Sequence, residues 1–391
     1  MSDRDPQTIG ANAGRSRRHN RQVVLGHVHR AGAIGRAQIA RDLGLSTQAV
    51  SNIIAELEGE GLLRATGRRV AGRGLPVVQY ALNPTGAVAL GIEVRPDAVL
   101  ATAVNLDGTA LFKARHTVTS ADPETVLEIM PGLRDRALES AGVSASKLLG
   151  AGVVMPGPFG MRGFSEGVSD LPGWQNSNAE ALFGQALSLP VAVENDANAA
   201  AVSERVSGVA RGFESYAFLY FGAGLGLGVV TGGRLLRGAR GNAGEVGHIP
   251  VASENGPVPL ESRVSRLSAR RHLAAAGIEA DSIGDIESLY AARNPVLLDW
   301  LAQTVQPLSL AVQTIENLFD PQAIVFGGAL PSGLIAEMIG GIQLADTSVA
   351  ARPDRVGPRL LQGATGRITA AVGAAALIIN QSFTPQIGPP H

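Results

Sequence analysis

Two short runs carry the residues best suited to chemistry. Phe221-Gly222-Ala223-Gly224-Leu225-Gly226-Leu227-Gly228 sets a glycine-rich turn between apolar stretches, and Gly244-Glu245-Val246-Gly247-His248 follows it. A turn with few side chains lets the backbone approach a phosphate. A Glu and a His three residues apart suit hydrogen bonding to a polyol. A third run, Glu194-Asn195-Asp196, closes the apolar segment Val191-Ala192-Val193. In open α/β sheets, ligands bind beyond the carboxyl ends of strands, which is where this run falls.

The elements that must position these residues follow from apolar spacing. Residues 88–94, 99–104 and 111–112 read as three strands, with Asp107-Gly108 as the turn before the last. Glu124 to Ser140 reads as a helix, Leu149 to Met155 as a buried strand ending at Pro156-Gly157-Pro158, and Ala179 to Leu187 as a helix. A helix begins at Ala197. A second strand-rich opening follows: 215–220, the glycine turn, 228–231 and 234–236. Ala323 to Phe326 is a further strand ending at Gly327-Gly328, and Ala370 to Asn380 a late helix. The meander opens twice, so the body is expected as two similar α/β lobes around a cleft.

Composition narrows the classes. The chain has 391 residues, 45% of them hydrophobic but only 4% aromatic, so its cores must be built from aliphatic residues. Its 49 glycines follow no triplet period, which points to many tight turns. Cysteine is absent, which excludes disulfides and thiolate metal sites. The N-terminus lacks the apolar core of a signal peptide, and no run of ~20 apolar residues is present. The expected location is the cytoplasm, with no membrane contact.

The net charge of −1 hides an asymmetry: residues 1–75 hold 12 Arg against 6 Asp or Glu. A basic head on an acidic body is expected to meet a polyanion. In that head, Asn20 to Arg30 and Arg36 to Leu43 read as helices. Gly44 permits a tight turn, Ser46 caps the next helix, and Val50, Ile53, Ile54 and Leu57 give that helix one buried face. Its other face offers Thr47, Gln48, Ser51 and Asn52, which can bond base edges or phosphates in a major groove, beside Ser46. Leu62-Leu63-Arg64 starts a strand, Thr66-Gly67-Arg68-Arg69 turns it back, and Gln79 to Leu82 returns. This is a winged helix-turn-helix, with Arg68, Arg69 and Arg73 facing the nucleic-acid backbone. Asn83-Pro84 marks the boundary.

With these residues in place, the chain resembles the ROK family (repressors, open reading frames and kinases), in its transcriptional-regulator branch. The resemblance runs from about Asn20 to about Ile379. It rests on Ser46-Thr47-Gln48-Ala49-Val50-Ser51, Met155-Pro156-Gly157-Pro158, Glu194-Asn195-Asp196-Ala197-Asn198-Ala199 and Gly241 to His248. It implies an α/β protein: an N-terminal winged helix-turn-helix joined to a two-lobed actin/hexokinase-like (ribonuclease H-like) body, assembled as a homodimer or homotetramer. The expected parts are a disordered tail at 1–14, the head at 15–83, lobe 1 at 84–205 completed by a helix at about 366–382, lobe 2 at 206–365, and a tail at 383–391.

The resemblance also implies roles. Asp196 matches the family's catalytic base, while Asn195, Asp196, Glu245, His248 and Glu261 match residues that hold sugar hydroxyls. The nucleotide side departs from the family. Kinases of the family open with Asp-x-Gly-Gly-Thr, where this chain has Glu93-Val94-Arg95-Pro96-Asp97, and the usual Thr of the second phosphate turn is Ala223. Family members commonly carry a cysteine-rich zinc loop between the His and the last Glu. Residues 249–258 are short and hold no Cys, so no metal and no cofactor are expected. The glycines at 222–228 then read as hairpin geometry and Asp196 as a vestigial base.

The expected function is a sugar-responsive regulator, a repressor of carbohydrate-utilisation genes that binds a double-stranded DNA operator. The alternatives are a sugar kinase with a fused DNA-binding domain, or a DNA-binding regulator with no sugar effector. The acidic pocket argues against a phosphorylated sugar unless Arg95 or Arg237 offsets its charge.

Overall fold

The computed structural model describes residues 13–69, 76–155, 171, 173–174, 177–239, 241–253, 256–365 and 368–383. Residue contacts divide the chain into two units, 1–87 with 379–391, and 88–378.

The first unit begins with α1 (Ala13–Ala31), β1 (Ile34–Gly35), α2 (Arg36–Leu43) and α3 (Thr47–Gly59). Gly44 ends α2 in the left-handed conformation, and the Ser46 side chain caps α3 by accepting the Ala49 N–H at 3.1 Å. Val50, Ile53, Ile54 and Leu57 are buried, as their spacing predicts. Strands β2 (Leu63–Arg69) and β3 (Val77–Leu82) form an antiparallel hairpin, and β1 adds to the far side of β3. One expectation is corrected here. Thr66 to Arg69 do not turn the chain; they stay in β2, paired up to Arg69 opposite Val77. Gly67, at φ 115°, absorbs a register shift, so the glycine makes a bulge rather than a turn.

The end of the last helix, α11 (Thr369–Phe383), belongs to this unit. The Gln22 amide donates to the Gln381 carbonyl at 2.7 Å, and His29 stacks on Phe383 at 4.4 Å.

The second unit holds two five-stranded sheets. The first is built from β4 (Val88–Arg95), β5 (Ala98–Asn105), β6 (Ala110–Thr117), β7 (Leu148–Val154) and β8 (Val191–Glu194), in the order β6-β5-β4-β7-β8. Helices α4 (Pro123–Ala141) and α5 (Ala179–Leu187) accompany it, and α6 (Asp196–Val206) follows β8. The second sheet contains β9 (Tyr216–Phe221), β10 (Leu225–Thr231) and β11 (Arg234–Leu235). A small ladder, β12 (Pro250–Val251) with β13 (Val258–Pro259), stands apart. Helices α7 (Arg266–Ala275), α8 (Ile283–Ala291) and α9 (Pro295–Phe319) precede β14 (Ile324–Gly328), and α10 (Ser332–Gly341) precedes β15 (Leu360–Thr365). The order is β11-β10-β9-β14-β15.

Each sheet therefore has an antiparallel three-strand meander followed by two parallel strands, in the same spatial order. The strand pattern of the sequence foresaw this repeat. Among the described residues the apolar faces are buried in separate cores: one around Val94, Val153 and Phe183, another around Phe221, Trp300 and Phe326, and a third where Tyr216 and Phe218 of β9 meet Ala200 and Ala201 of α6. No described helix is long and apolar enough to cross a membrane.

Candidate functional site

The head presents its polar face on α3. Thr47, Gln48 and Asn52 are exposed and Ser51 half-buried. The Gln48 amide donates to the Asn52 carbonyl oxygen at 2.9 Å, so these two side chains act as one polar surface. Ser46 is exposed, but its hydroxyl is engaged as the cap. Arg68 is exposed on β2; the side chain of Arg69 and all of Arg73 lie outside the described residues. The basic excess of the head is partly internal. Arg17 and Arg21 bind Glu56, Arg21 also binds Glu60, and the Arg36 guanidinium stands 5.5 Å from the centre of the Tyr80 ring.

In the body, the acidic residues of the sequence prediction gather around the glycine turn. Asn195 is the N-cap of α6: its side-chain oxygen accepts the Asn198 N–H at 2.8 Å. Asp196 is therefore spared capping duty and becomes the first residue of the helix, with Oδ1 accepting the Ala197 N–H at 2.9 Å. Its Oδ2 lies 3.1 Å from where a Cβ on Gly222 would stand. Burial pushes the Asp196 carboxyl up to about 6, and the neighbouring charge of Glu93 adds to the rise.

Glu261 lies against the same turn. Its Oε2 accepts the Leu225 N–H at 3.3 Å, and a Cβ on Gly224 would come within 2.3 Å of that oxygen. Glu245 and His248 flank a single 3-10 turn, with Glu245 Oε2 3.7 Å from His248 Nε2. The segment is laid over β10 by the Leu227 N–H, which donates to the Gly244 carbonyl at 3.1 Å. Burial raises the Glu245 carboxyl, and His248 works against that rise.

The glycines of the turn have a different reason from the one expected. None of Gly222, Gly224, Gly226 and Gly228 has a positive φ, so hairpin geometry does not require them. They leave room. Added Cβ atoms would meet Asp196, Glu261, the Ala197 side chain and the Ala197 carbonyl respectively, the last at 2.5 Å. Glycine at alternate positions lets α6 and the two carboxylates close onto one face of β10.

The segment where the family kinases bind phosphates is built of side chains here. Arg95 makes a two-pronged ion pair with Glu93, at 2.6 and 2.9 Å, and Glu93 is only 8% exposed. Tyr220, also buried, lies near enough for Asp196, Glu93, Arg95 and Arg266 all to act on its hydroxyl, which burial holds well above the usual range. Arg95 and Pro96 stand where the family kinases carry glycines, and the chain has no cysteine for a zinc loop. Among the described residues, no cluster of three or more His, Asp or Glu could hold a metal ion.

Sequence reasoning missed three features. Glu194 is not a ligand group but a buried brace: it accepts from the Asn198 amide at 2.9 Å and from Arg237 at 2.9 Å. Arg237 is thereby committed, as Arg95 is to Glu93. Tyr220 was legible from the alternation Tyr216, Phe218, Tyr220, which places it on the α6 face of β9. Arg266 had no local signal.

A sequence profile of the ROK family matches residues 89–381. The xylose repressor of Bacillus spizizenii is 25% identical over 320 residues, covering 80% of this chain and 82% of that protein. Among solved structures, a ROK family transcriptional regulator homologous to the E. coli MLC protein superposes with a TM-score of 0.71 at 22% identity, over 94% of this chain and 97% of its own. A ROK hexokinase from Thermus thermophilus superposes with a TM-score of 0.56 at 28% identity, over 74% of this chain and 97% of its own.

Proposed function

The chain belongs to the ROK family, and from that premise we propose that it is a sugar-responsive, DNA-binding transcriptional regulator that represses carbohydrate-utilisation genes and transfers no phosphate. The observation that carries this reading is α3, capped, buried on one face and polar on the other, in the same chain as a family body. The similarity to xylose repressors supports it.

In this reading the parts are the head at 15–83, lobe 1 at 84–205 with the helix at about 366–382, and lobe 2 at 206–365. Thr47, Gln48, Ser51 and Asn52 read the operator, Ser46 orients them, and Arg68, Arg69 and Arg73 hold phosphates. A homodimer or homotetramer in the cytoplasm would set two recognition helices about one DNA turn apart. Asn195, Asp196, Glu245, His248 and Glu261 bind the sugar, and its unequal affinity for two arrangements of the protein shifts DNA affinity.

Two measurements test this. Arg68→Ala with Arg69→Ala should weaken operator binding and reduce its salt slope by about 2, at roughly 0.9 per phosphate contact. An unchanged slope removes the hairpin from the account. Calorimetry of the full chain against a panel of neutral and anionic sugars should find a ligand that Asp196→Asn or Glu245→Gln weakens by about tenfold or more. Full affinity in both variants sinks the sugar assignment, and binding by no sugar leaves a regulator without an effector.

One observation favours a second reading, a sugar kinase with a fused head. An Asp titrating near 6 is placed to act as a general base. ADP release with any hexose, abolished by Asp196→Asn, would establish it.

A further inference from the structure

The groups assigned above to a sugar come from two sheets. Asn195 and Asp196 follow β8 of the first sheet, whereas Glu245 lies in the segment after β11 of the second. Strand pairing does not set the spacing between them, because β8 and β11 are edge strands of different sheets. That spacing is bridged by side chains. Glu194, the last residue of β8, uses both of its carboxylate oxygens. Its Oε1 accepts the Asn195 N–H at 3.2 Å and the Asn198 side-chain amide at 2.9 Å. Its Oε2 accepts from Arg237 Nε at 2.9 Å, 43 residues further along the chain. The first two bonds hold the opening of α6, where Asn195 is the cap and Asp196 the first residue. The third holds the segment after β11.

Each end of this bridge is itself anchored. At the α6 end, Asn198 is fully buried and its Oδ1 has no hydrogen-bond partner. The amide leaves a buried acceptor unmet while its NH2 stays on Glu194, so Glu194 sets its orientation. At the other end, the Leu236 N–H donates to the Val229 carbonyl at 2.8 Å, and the Ala243 N–H to the Arg237 carbonyl at 3.1 Å. Arg237 is thus the neck of a closed loop that leads directly into Gly244 and Glu245. The ion pair is unequal: the Glu194 side chain is 6% exposed and that of Arg237 56%. Burial does not hold Arg237 in place; the buried carboxylate does, because it needs a counter-charge. Removing Arg237 strands that charge beneath the start of α6.

We propose that Glu194 and Arg237 are positioning residues of the sugar site: their ion pair ties the Asp196 end of α6 to the Glu245 segment, so that both carboxylates meet one ligand at a fixed spacing. Neither Glu194 nor Arg237 touches that ligand. The inference rests on the sugar-binding reading above. It gives Arg237 the task of alignment in place of the charge offset expected from the sequence.

The test is amide hydrogen exchange of the full chain, followed in residues 195–198 and 241–248. Arg237→Ala should speed exchange at 195–198 by about tenfold, and Glu194→Gln should do the same at 241–248, each on the far side of the tie. Arg237→Lys, which keeps the charge, should restore part of the protection. Exchange that rises only beside the changed residue, or equally throughout the chain, overturns the inference. Calorimetry with glucose and xylose adds the ligand. A sugar that binds the parent should bind Arg237→Ala about tenfold more weakly, with Arg237→Lys in between. Full affinity in Arg237→Ala overturns the inference and leaves the sugar reading intact. If neither sugar binds the parent, the exchange result alone decides on the tie, and the sugar reading stands or falls by its own panel.

Discussion

The β4–β5 and β9–β10 hairpins occupy equivalent places in two sheets of the same strand order, yet they end in opposite ways. The first closes in two residues, Pro96-Asp97, with Arg95 paired opposite Ala98. Its tip carries the Glu93–Arg95 ion pair. The second closes through Gly222-Ala223-Gly224, with Phe221 opposite Leu225, and stays bare. The bare turn is not evidence of a retained phosphate loop. Its glycines are needed because Asp196, Glu261 and α6 press against it. The bulky turn is not a neutral loss either, since Glu93 raises the proton affinity of Asp196, which follows β8 of the same sheet. One hairpin supplies space to the site and the other supplies charge.

That contrast is open to attack from both sides. The largest effect should come from filling the space. Gly228→Val would drive side-chain atoms into the Ala197 carbonyl and the Ala201 methyl. It should destabilise the body by about 3 kcal/mol, seen as a lower urea midpoint. A midpoint equal to that of the parent would mean that the glycines serve something other than close approach.

Removing the charge comes next. Glu93→Gln should cost about 2 kcal/mol, less than for a fully enclosed pair because Arg95 keeps some contact with water. The Asp196 carboxyl should then titrate lower than about 6. The sign for the parent follows from the raised value. Folding stability from protonated Asp196 is fully present below about 3.8 and is lost as the pH rises through about 6. Glu93→Gln should narrow that window, and the sugar affinity proposed above, with the Asp196 carboxylate as acceptor, should hold to a lower pH. Carboxyl NMR titration reads this directly; an unmoved Asp196 would disconnect the two hairpins.

The smallest effect belongs to Ala223→Thr. Residue 223 is exposed, so stability should change by less than about 0.5 kcal/mol. On the proposed reading no ADP release should appear, because this substitution leaves the Glu93–Arg95 ion pair in place. Activity restored by this one hydroxyl would show that the Glu93–Arg95 tip is no obstacle.

Much of the fold was legible because its signals are local. The face of α3, the caps at Gly44 and Ser46, and the doubled meander all repeat at short period. The bulge at Gly67 was misread as a turn because glycine permits either, and only pairing with β3 distinguishes them. Helices α7 to α9 were passed over, since residues 263–322 hold no motif that would draw attention to them. In the site, the spacing of Asn195, Asp196, Glu245 and His248 was visible. The reason for the glycines was not, because it depends on what packs against them.

The sequence by itself determined which groups are present: no thiol for zinc, no glycine pair at residues 95–96 for phosphate, carboxylates at Asp196, Glu245 and Glu261, and a helix with one polar face. Tertiary structure decided which of them meet. It paired Arg95 with Glu93 and Arg237 with Glu194, left Arg266 without a counter-ion among the described residues, and set Asp196 beside a second negative charge. Those outcomes depend on burial and on distances between residues far apart in the chain. Electrostatic energy is fixed by separation and surroundings in space, and spacing along the sequence constrains neither.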